Sequence, residues 1–125
     1  MKILFEDGVY EDVGTSEISP SVVRLDETPI ASSADVRFGD LIEVEEGEKG
    51  VWRYIRLSKR ADHESASVLI SQEIATSAEF QTALSEITGL GVHWEQAFGG
   101  ILFLHGSAEQ VGKAQLLLES LVAGG

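Results

Sequence analysis

The stretch that decides the fold is the C-terminal half, residues 67–125, which reads SVLISQEIATSAEFQTALSEITGLGVHWEQAFGGILFLHGSAEQVGKAQLLLESLVAGG. Two segments in it repeat apolar residues at the spacing of one helix face. Three short segments rich in β-branched and aromatic residues lie before and between them. The order predicts strand, helix, strand, turn, strand, helix.

The predicted helices carry their own start and stop signals. The first begins at Thr76-Ser77-Ala78-Glu79, which has the form of a capping box, and Gly89 and Gly91 end it because glycine enters the left-handed conformation at little cost. The second begins with Ser107 as the cap and Gln110 three residues later. The apolar stripes are Phe80, Ala83, Leu84 and Ile87 in the first helix, and Val111, Ala114, Leu117, Leu118 and Leu121 in the second.

A hairpin is predicted between the helices, with Gly99-Gly100 as a two-residue turn. That turn would place Trp94 opposite His105 and Gln96 opposite Phe103. One face would then carry Trp94, Gln96, Phe98, Ile101, Phe103 and His105, and the other Leu102 and Leu104. A slip of one residue, or a bulge, would exchange the two faces.

The N-terminal half predicts antiparallel β-structure with short, glycine-containing connections, and the whole chain therefore predicts an α+β fold. We expect an N-terminal antiparallel β-meander followed by a βαββα unit with two helices on one sheet face. That unit resembles a ferredoxin-like split unit without its last strand, which the N-terminal half or a second copy in a homodimer could supply. A right-handed crossover through 77–89 is expected to place strand 67–72 parallel to its neighbour. Residues 1–125 are predicted to form a single domain, with Gly124-Gly125 as a frayed end.

Composition narrows the functional classes. The chain has no cysteine, which removes disulfides and cysteine-based chemistry, and it lacks an apolar run of membrane-spanning length or a signal-peptide pattern. A cytoplasmic protein is the simplest interpretation. The net charge of −12 disfavours nucleic acid and anionic membrane surfaces as partners. It suits a protein partner with a basic surface, although solubility alone also explains an acidic composition.

The charge is unevenly distributed along the chain. Residues 1–50 hold thirteen acids and four bases, whereas residues 51–60, VWRYIRLSKR, hold four bases and no acid. In this segment Trp52, Tyr54 and Arg56 would share one strand face, and these residue types are enriched at binding hot spots. With the acidic strand residues Glu43, Glu45 and Glu46 they form the predicted partner-binding surface. The alternative is that Trp52 and Tyr54 belong to the core, with Arg56 at its rim.

Candidate chemistry is sparse. Asp62-His63-Glu64 offers ligand types for a metal, but consecutive residues of an extended chain point to opposite sides. His93 and Glu95 share a strand face without an identifiable third ligand, and His105 is expected to be a partly buried residue with a satisfied ring nitrogen. Serines near His63 lack a nucleophile-elbow pattern. We therefore expect no enzyme activity, no metal and no cofactor.

A family resemblance begins near residue 22 and covers most of the rest of the chain. The pattern resembles a bacterial family known as domain of unknown function 4265. The residues that carry it are Leu25, Asp26, Pro29, Gly39, Asp40, Val44, Glu45, Trp52, Tyr54, His63, Ser65 and Leu90-Gly91. The family pattern has an arginine where this chain has Ser67. The resemblance implies a small cytoplasmic protein and brings no established activity.

These observations favour a small acidic, non-enzymatic binding protein, of which an immunity or inhibitor protein that occupies a basic partner is one form. The alternative is a small-molecule-binding regulatory domain with a pocket between the sheet and the second helix. Trp94, Phe103 and His105 would line that pocket. An enzyme with an unfamiliar site ranks below both.

Overall fold

The computed structural model describes residues 1–124, with side chains described through Val122. The chain divides into two compact units, residues 1–62 and the residues from His63 onward. Each has its own sheet and its own apolar core, and three helices accompany the second sheet. The predicted α+β class is confirmed. The single domain over residues 1–125 stays a prediction.

The first unit is a six-stranded sheet in the order β2-β1-β6-β5-β4-β3. Strands β4 to β6 form the expected antiparallel meander, β3 extends it on the side of β4, and β1 joins the free side of β6 in parallel. The strands are β1 Lys2–Leu4, β2 Tyr10–Asp12, β3 Thr15–Ser19, β4 Val22–Leu25, β5 Leu41–Glu46 and β6 Val51–Lys59.

The core of the first unit follows the alternation of the strands. In β5, Ile42 and Val44 point inward while Glu43 and Glu45 point outward, because successive side chains of a strand lie on opposite faces. The buried residues of this core are Ile3, Phe5, Val13, Val23, Leu25, Val36, Ile42 and Val44.

A buried carboxylate links two strands at one end of this unit. Asp40 is fully buried, and its two oxygens accept hydrogen bonds from the backbone N–H groups of Arg37 and Ala61 at 2.9 and 2.8 Å and from the Arg60 guanidinium at 2.7 Å. Gly39 precedes it with a φ of +86°, a conformation that favours glycine. The Gly39-Asp40 pair therefore ties the entry of β5 to the end of β6.

The second unit is a three-stranded antiparallel sheet in the order β7-β9-β8. Two helices follow β7 along the chain, and a third follows β9. The elements are β7 Glu64–Leu69, α1 Gln72–Ala75, α2 Ala78–Gly89, β8 His93–Ala97, β9 Ile101–Gly106 and α3 Ala108–Gly124. The expectation that strand 67–72 lies parallel to its neighbour is wrong. The hairpin strand β9 inserts between β7 and β8, so the neighbour of β7 is antiparallel.

The two longer helices cover one face of this sheet. Phe80 and Ile87 of α2 and Leu118 of α3 share a core with Leu102 and Leu104 of β9. The predicted stripe of α2 is buried, and that of α3 is buried at Val111, Ala114 and Leu118, with Leu117 and Leu121 partly buried.

One helix start differs from the prediction and one matches it. Ser77, and not Thr76, caps α2 by accepting from the Phe80 N–H at 3.1 Å, because Thr76 ends the preceding short helix α1. At α3 the predicted box forms reciprocally, since Gln110 N–H donates to Ser107 Oγ and Ser107 N–H donates to Gln110 Oε1. The helix α3 extends to Gly124, while Gly125, the other half of the predicted frayed end, lies outside the described residues.

The hairpin register differs by one residue from the predicted one. Three residues, Phe98-Gly99-Gly100, connect the strands, and Phe98 and Gly99 adopt positive φ values of 53° and 71°. Trp94 therefore pairs with Leu104, and His105 pairs with His93. This slip exchanges the faces of β8, which is the outcome expected when a turn gains one residue.

Candidate functional site

The predicted partner-binding surface on β5 and β6 is split between two faces. Trp52 and Tyr54 are half-buried and pack against the core of the first unit. Burial raises the pKa of the Tyr54 hydroxyl, and the nearby Glu6 carboxylate adds to that rise. These two aromatic side chains therefore contribute to the core, as the alternative interpretation expected.

Arg56 lies on the opposite, outward face because of a β-bulge. The partner of Glu43 is Arg56, whereas the partner of Val44 is Tyr54, so Ile55 has no partner on β5. The extra residue turns Arg56 away from the side that Trp52 and Tyr54 share. The expectation that the three share one face is wrong, because alternation was counted through the bulge.

On the outward face, opposite charges stand directly across from each other. Arg56 pairs with Glu43, and Arg53 pairs with Glu45. The hydrogen bond from Arg56 holds the pKa of the Glu43 carboxyl below its usual range. Glu46 lies beyond these pairs at the exposed end of β5. The basic segment 51–60 and the acidic strand before it therefore neutralise each other locally.

The second unit has no comparable balance of acidic and basic residues. Residues 63–125 contain seven acids and a single base, Lys113, whereas residues 1–62 contain fourteen acids and eight bases. Lys113 itself pairs with Glu109 one turn earlier on α3 at 3.2 Å. Each unit therefore has a net charge of −6, but the acids of the second unit have almost no cation beside them.

The three residues predicted to line a ligand pocket do not share a face. Trp94 lies on the helix-covered side of the sheet, packs against the core and donates from Nε1 to Thr88 Oγ1 at 3.0 Å. Phe103 and His105 alternate with Leu102 and Leu104, so they lie on the other side. These three residues therefore do not together line a pocket between the sheet and α3, which is the second of the two predicted helices.

A hydrogen-bonded chain crosses the sheet face opposite the helices. Ser65 Oγ lies 2.7 Å from His105 Nδ1, and His105 Nε2 lies 2.7 Å from Glu95 Oε1. A carboxylate only accepts, so Nε2 carries a hydrogen and donates to Glu95, while Nδ1 and the Ser65 hydroxyl share the second hydrogen bond. His105 is 3% exposed, and both of its ring nitrogens are hydrogen-bonded. This agrees with the expected satisfied histidine.

All three histidines of the chain gather around this point. The ring centroid of His105 is 5.3 Å from that of His63 and 5.9 Å from that of His93. Partial loss of hydration lowers the pKa of the His93 imidazole; Glu95 opposes this, and His105 and His63 lower the pKa further. Within residues 1–124, no group of three or more His, Cys, Asp or Glu side chains is arranged to hold a metal ion.

The order serine, histidine, carboxylate is that of a hydrolase triad, but its setting differs. Ser65 lies within a regular strand that pairs with β9, and its side chain stands perpendicular to the sheet. Backbone N–H groups of a strand lie in the sheet plane, so they do not point at an oxyanion that would form above Ser65. The arrangement can hold a proton and fix the register of three strands.

The sequence contained a partial signal for this cluster. His93 and Glu95 are two positions apart, and the sequence predicted that they share one face of a strand. The partner histidine was missed because the predicted turn had two residues instead of three, which placed His105 opposite Trp94. The contribution of Ser65 depends on the pairing of β7 with β9, which joins residues forty positions apart.

Among the described residues, two depressions border the helices. One, of about 590 Å³, is lined by Glu86, Leu90, Lys113, Leu116, Leu117 and Ser120. The other, of about 700 Å³, is lined by Leu69, Ser71, Glu73, Ile74, Ser77, Glu79, Ser120, Leu121 and Val122. Ser120 belongs to both, so the depressions adjoin along α3.

Comparison with models of known protein families, with curated proteins and with solved structures finds no match. The resemblance to the domain of unknown function 4265 therefore stays a prediction. None of the helices in the described part of the chain is long and apolar enough to cross a membrane.

Proposed function

We propose that this chain is a cytoplasmic, non-enzymatic binding protein that uses its acidic surface to capture a protein partner with a basic surface. The observation that carries the proposal is the composition of the second unit, with seven acids and one base. Such an excess steers a basic partner toward the surface and speeds its association.

In this proposal the binding surface lies on the second unit, and not on β5 and β6, where the sequence suggested it. Glu43 and Glu45 already have arginine partners on β6, so a basic partner would have to displace those arginines. Glu73, Glu79 and Glu86 lie on α1 and α2 of the unit that contains only one cation. An immunity or inhibitor protein that covers a basic surface of its target fits this distribution.

We also propose that the second unit is a ferredoxin-like split unit without its last strand. The order β7-β9-β8 supports this, since β9 is antiparallel to both neighbours and leaves β7 parallel to β8. The remaining edges of the sheet belong to β7 and β8. A homodimer completed through such an edge is one arrangement that this topology permits.

The test of the binding proposal is capture from a host extract, followed by binding assays with the purified candidate. The tagged chain should retain a basic protein at about 50 mM salt and release it at about 500 mM, because screening shortens the range of the attraction. A Glu73→Gln/Glu79→Gln/Glu86→Gln variant should retain much less. The matched control, Glu45→Gln/Glu46→Gln/Glu48→Gln in the first unit, should retain the wild-type amount.

Retention that is indifferent to salt, or equal loss in both triple variants, would contradict the proposal. The non-enzymatic part has its own test, a fluorophosphonate probe followed by intact-mass measurement. We expect no adduct, because Ser65 lies in a regular strand. An adduct that disappears in Ser65→Ala and persists in Ser67→Ala would establish a reactive serine and overturn that part.

A further inference from the structure

We infer that the two adjoining depressions on α2 and α3 form one groove, and that this groove binds an amphipathic helix with a basic polar face. The inference rests on the proposed function and deepens it, because it names the place on the acidic unit and the shape of the partner segment. Three properties of the groove carry it: its continuity, its apolar floor and its acidic rim.

The groove follows one side of α3. Lys113, Leu116, Leu117, Ser120 and Leu121 recur at intervals of three and four residues, which is the spacing of a single helix face. Leu116 and Ser120 lie on a different side of α3 from the buried stripe of Val111, Ala114 and Leu118, and Leu117 and Leu121 lie between, partly buried against the core. The shared residue Ser120 makes the two depressions one elongated feature along the helix.

The floor of the groove is apolar and accessible. Leu116 is 66% exposed, and Leu69, at the far end of the groove, is 79% exposed. Leu90 and Leu117 are partly buried and pack against the core beneath. Leu116 and Leu69 therefore expose apolar surface at the two ends of the groove, and an apolar surface with a polar rim is typical of an interaction site.

The rim of the groove is acidic on the side of α1 and α2. Glu79 and Glu86 are seven residues apart on α2, so they lie on the same side of that helix, and Glu73 of α1 extends the row. Lys113 is the single cation of the lining, and Glu109 pairs with it. The groove therefore presents apolar contacts flanked by uncompensated negative charge.

An amphipathic basic helix is the occupant that matches both features. Its leucine-like face would cover the floor at helical spacing, and its Lys or Arg side chains would reach the row of carboxylates. A second copy of this chain would bring another acidic rim against the first, which like charges oppose. A small ligand would fill one depression and leave the other exposed.

The test uses three synthetic peptides and the full chain. The first is a leucine-lysine amphipathic helix of about 16 residues, long enough to form a helix on binding. The second has the same composition with the leucines scrambled so that no apolar face exists. The third replaces each lysine by glutamate. Fluorescence anisotropy at about 50 mM and about 300 mM salt should show tight binding of the first alone, weakened at the higher salt.

Two variants locate the site. Leu116→Ser should weaken binding of the amphipathic peptide by about tenfold, because one exposed leucine loses its contact with the peptide. Its control is Phe98→Ser, which removes a 76% exposed side chain from the hairpin of the same unit and should change nothing. The Glu73→Gln/Glu79→Gln/Glu86→Gln variant should reduce binding by about tenfold and remove most of its salt dependence.

The outcomes separate the groove from the broader proposal. If the scrambled peptide binds as well as the amphipathic one, or Leu116→Ser binds normally, the groove is overturned while acidic capture stands. If sedimentation shows a dimer that Leu116→Ser abolishes, the groove is a contact between copies and the inference is wrong. If no peptide binds but a basic protein is captured from extract, only the groove fails. If neither binds, both proposals fail.

Discussion

The two units of this chain treat charge in opposite ways. On the outer face of the first sheet, Arg53 and Arg56 of β6 stand across from Glu45 and Glu43 of β5. In the second unit seven acids share one lysine. The segment 51–60 is the most basic in the sequence, yet folding places it beside acids. What a partner encounters depends on which charges become neighbours, and the order of charges along the chain does not show this.

The units also bury polar groups differently. The first unit buries a carboxylate, Asp40, against the Arg60 guanidinium and two backbone N–H groups. The second buries an imidazole ring, His105, between a hydroxyl and a carboxylate. Removing the Asp40 carboxylate takes the partner of a cation away, whereas removing His105 leaves a hydroxyl and a carboxylate that is 16% exposed, so the first change is expected to cost more stability.

The largest expected effect is in the first unit. Asp40→Ala should lower the free energy of unfolding by about 3 to 5 kcal/mol, because it removes the buried carboxylate that accepts from Arg60 Nη1 and from two partly buried N–H groups. Asp35→Ala is the matched control, since Asp35 contacts the same arginine but its side chain is 99% exposed, and it should cost less than about 0.5 kcal/mol. Urea unfolding would be followed by Trp52 fluorescence in a Trp94→Phe background. If the two variants lowered the free energy of unfolding equally, the burial of Asp40 would add nothing to its contribution.

The next effect is in the second unit. His105→Ala should cost about 2 to 3 kcal/mol, because it removes a buried ring and its hydrogen bonds to Ser65 and Glu95. Ser65→Ala should cost about 1 kcal/mol. Trp94 fluorescence in a Trp52→Phe background reports this unit, and Ser67→Ala, on the same strand but exposed, is the control. A His105→Ala variant as stable as the control would mean that the chain of hydrogen bonds adds nothing.

Local patterns in the sequence predicted much of this architecture. The stripes of α2 and α3, the Ser107–Gln110 capping box and the meander from β4 to β6 all follow from residues close together in the chain. Each depends on helical or strand periodicity, which a run of ten to twenty residues already contains.

The two errors of strand face share one physical origin, the insertion of a single residue into a strand or turn. The bulge at Ile55 moved Arg56 to the outer face, and the extra turn residue, Phe98, exchanged the faces of β8, so that Trp94 no longer lies on the side of His105. A strand alternates with a period of two, so one extra residue inverts every later assignment. A positive φ at Phe98 was not foreseeable, since a bulky residue rarely adopts it. The cluster of three histidines was hidden by this register error.

A smaller effect is expected from pH in the second unit. The pKa of the His93 imidazole is lowered in the folded chain, so between about pH 7.5 and 5.5 the unfolded chain takes up a proton at His93 before the folded chain does. This contribution to stability is present above the ordinary histidine pKa and is lost as pH falls through the lowered value. His93→Gln should reduce the fall in the urea midpoint of Trp94 fluorescence over this range. An unchanged fall would assign it to other groups.

The smallest effect on stability is expected at the charge pairs of the first sheet, where the consequence for binding is larger. Arg53→Met/Arg56→Met should leave the urea midpoint near neutral pH almost unchanged, because both pairs are on the exposed face. The Arg56 contribution exists only while Glu43 is ionised. It is present above the ordinary glutamate pKa and is lost as pH falls through the lowered pKa of Glu43.

The same double variant frees Glu43 and Glu45, so it gives the first sheet the unbalanced charge of the second unit. It should therefore gain a weak, salt-sensitive affinity for the scrambled basic peptide, which the wild-type face lacks. Anisotropy at about 50 mM salt measures this, with Lys49→Met/Lys59→Met as the control for the same change of net charge. If both variants gain the same affinity, net charge governs attraction. If only the arginine variant gains it, the pairing of charges across β5 and β6 is what keeps a basic partner away from the first unit.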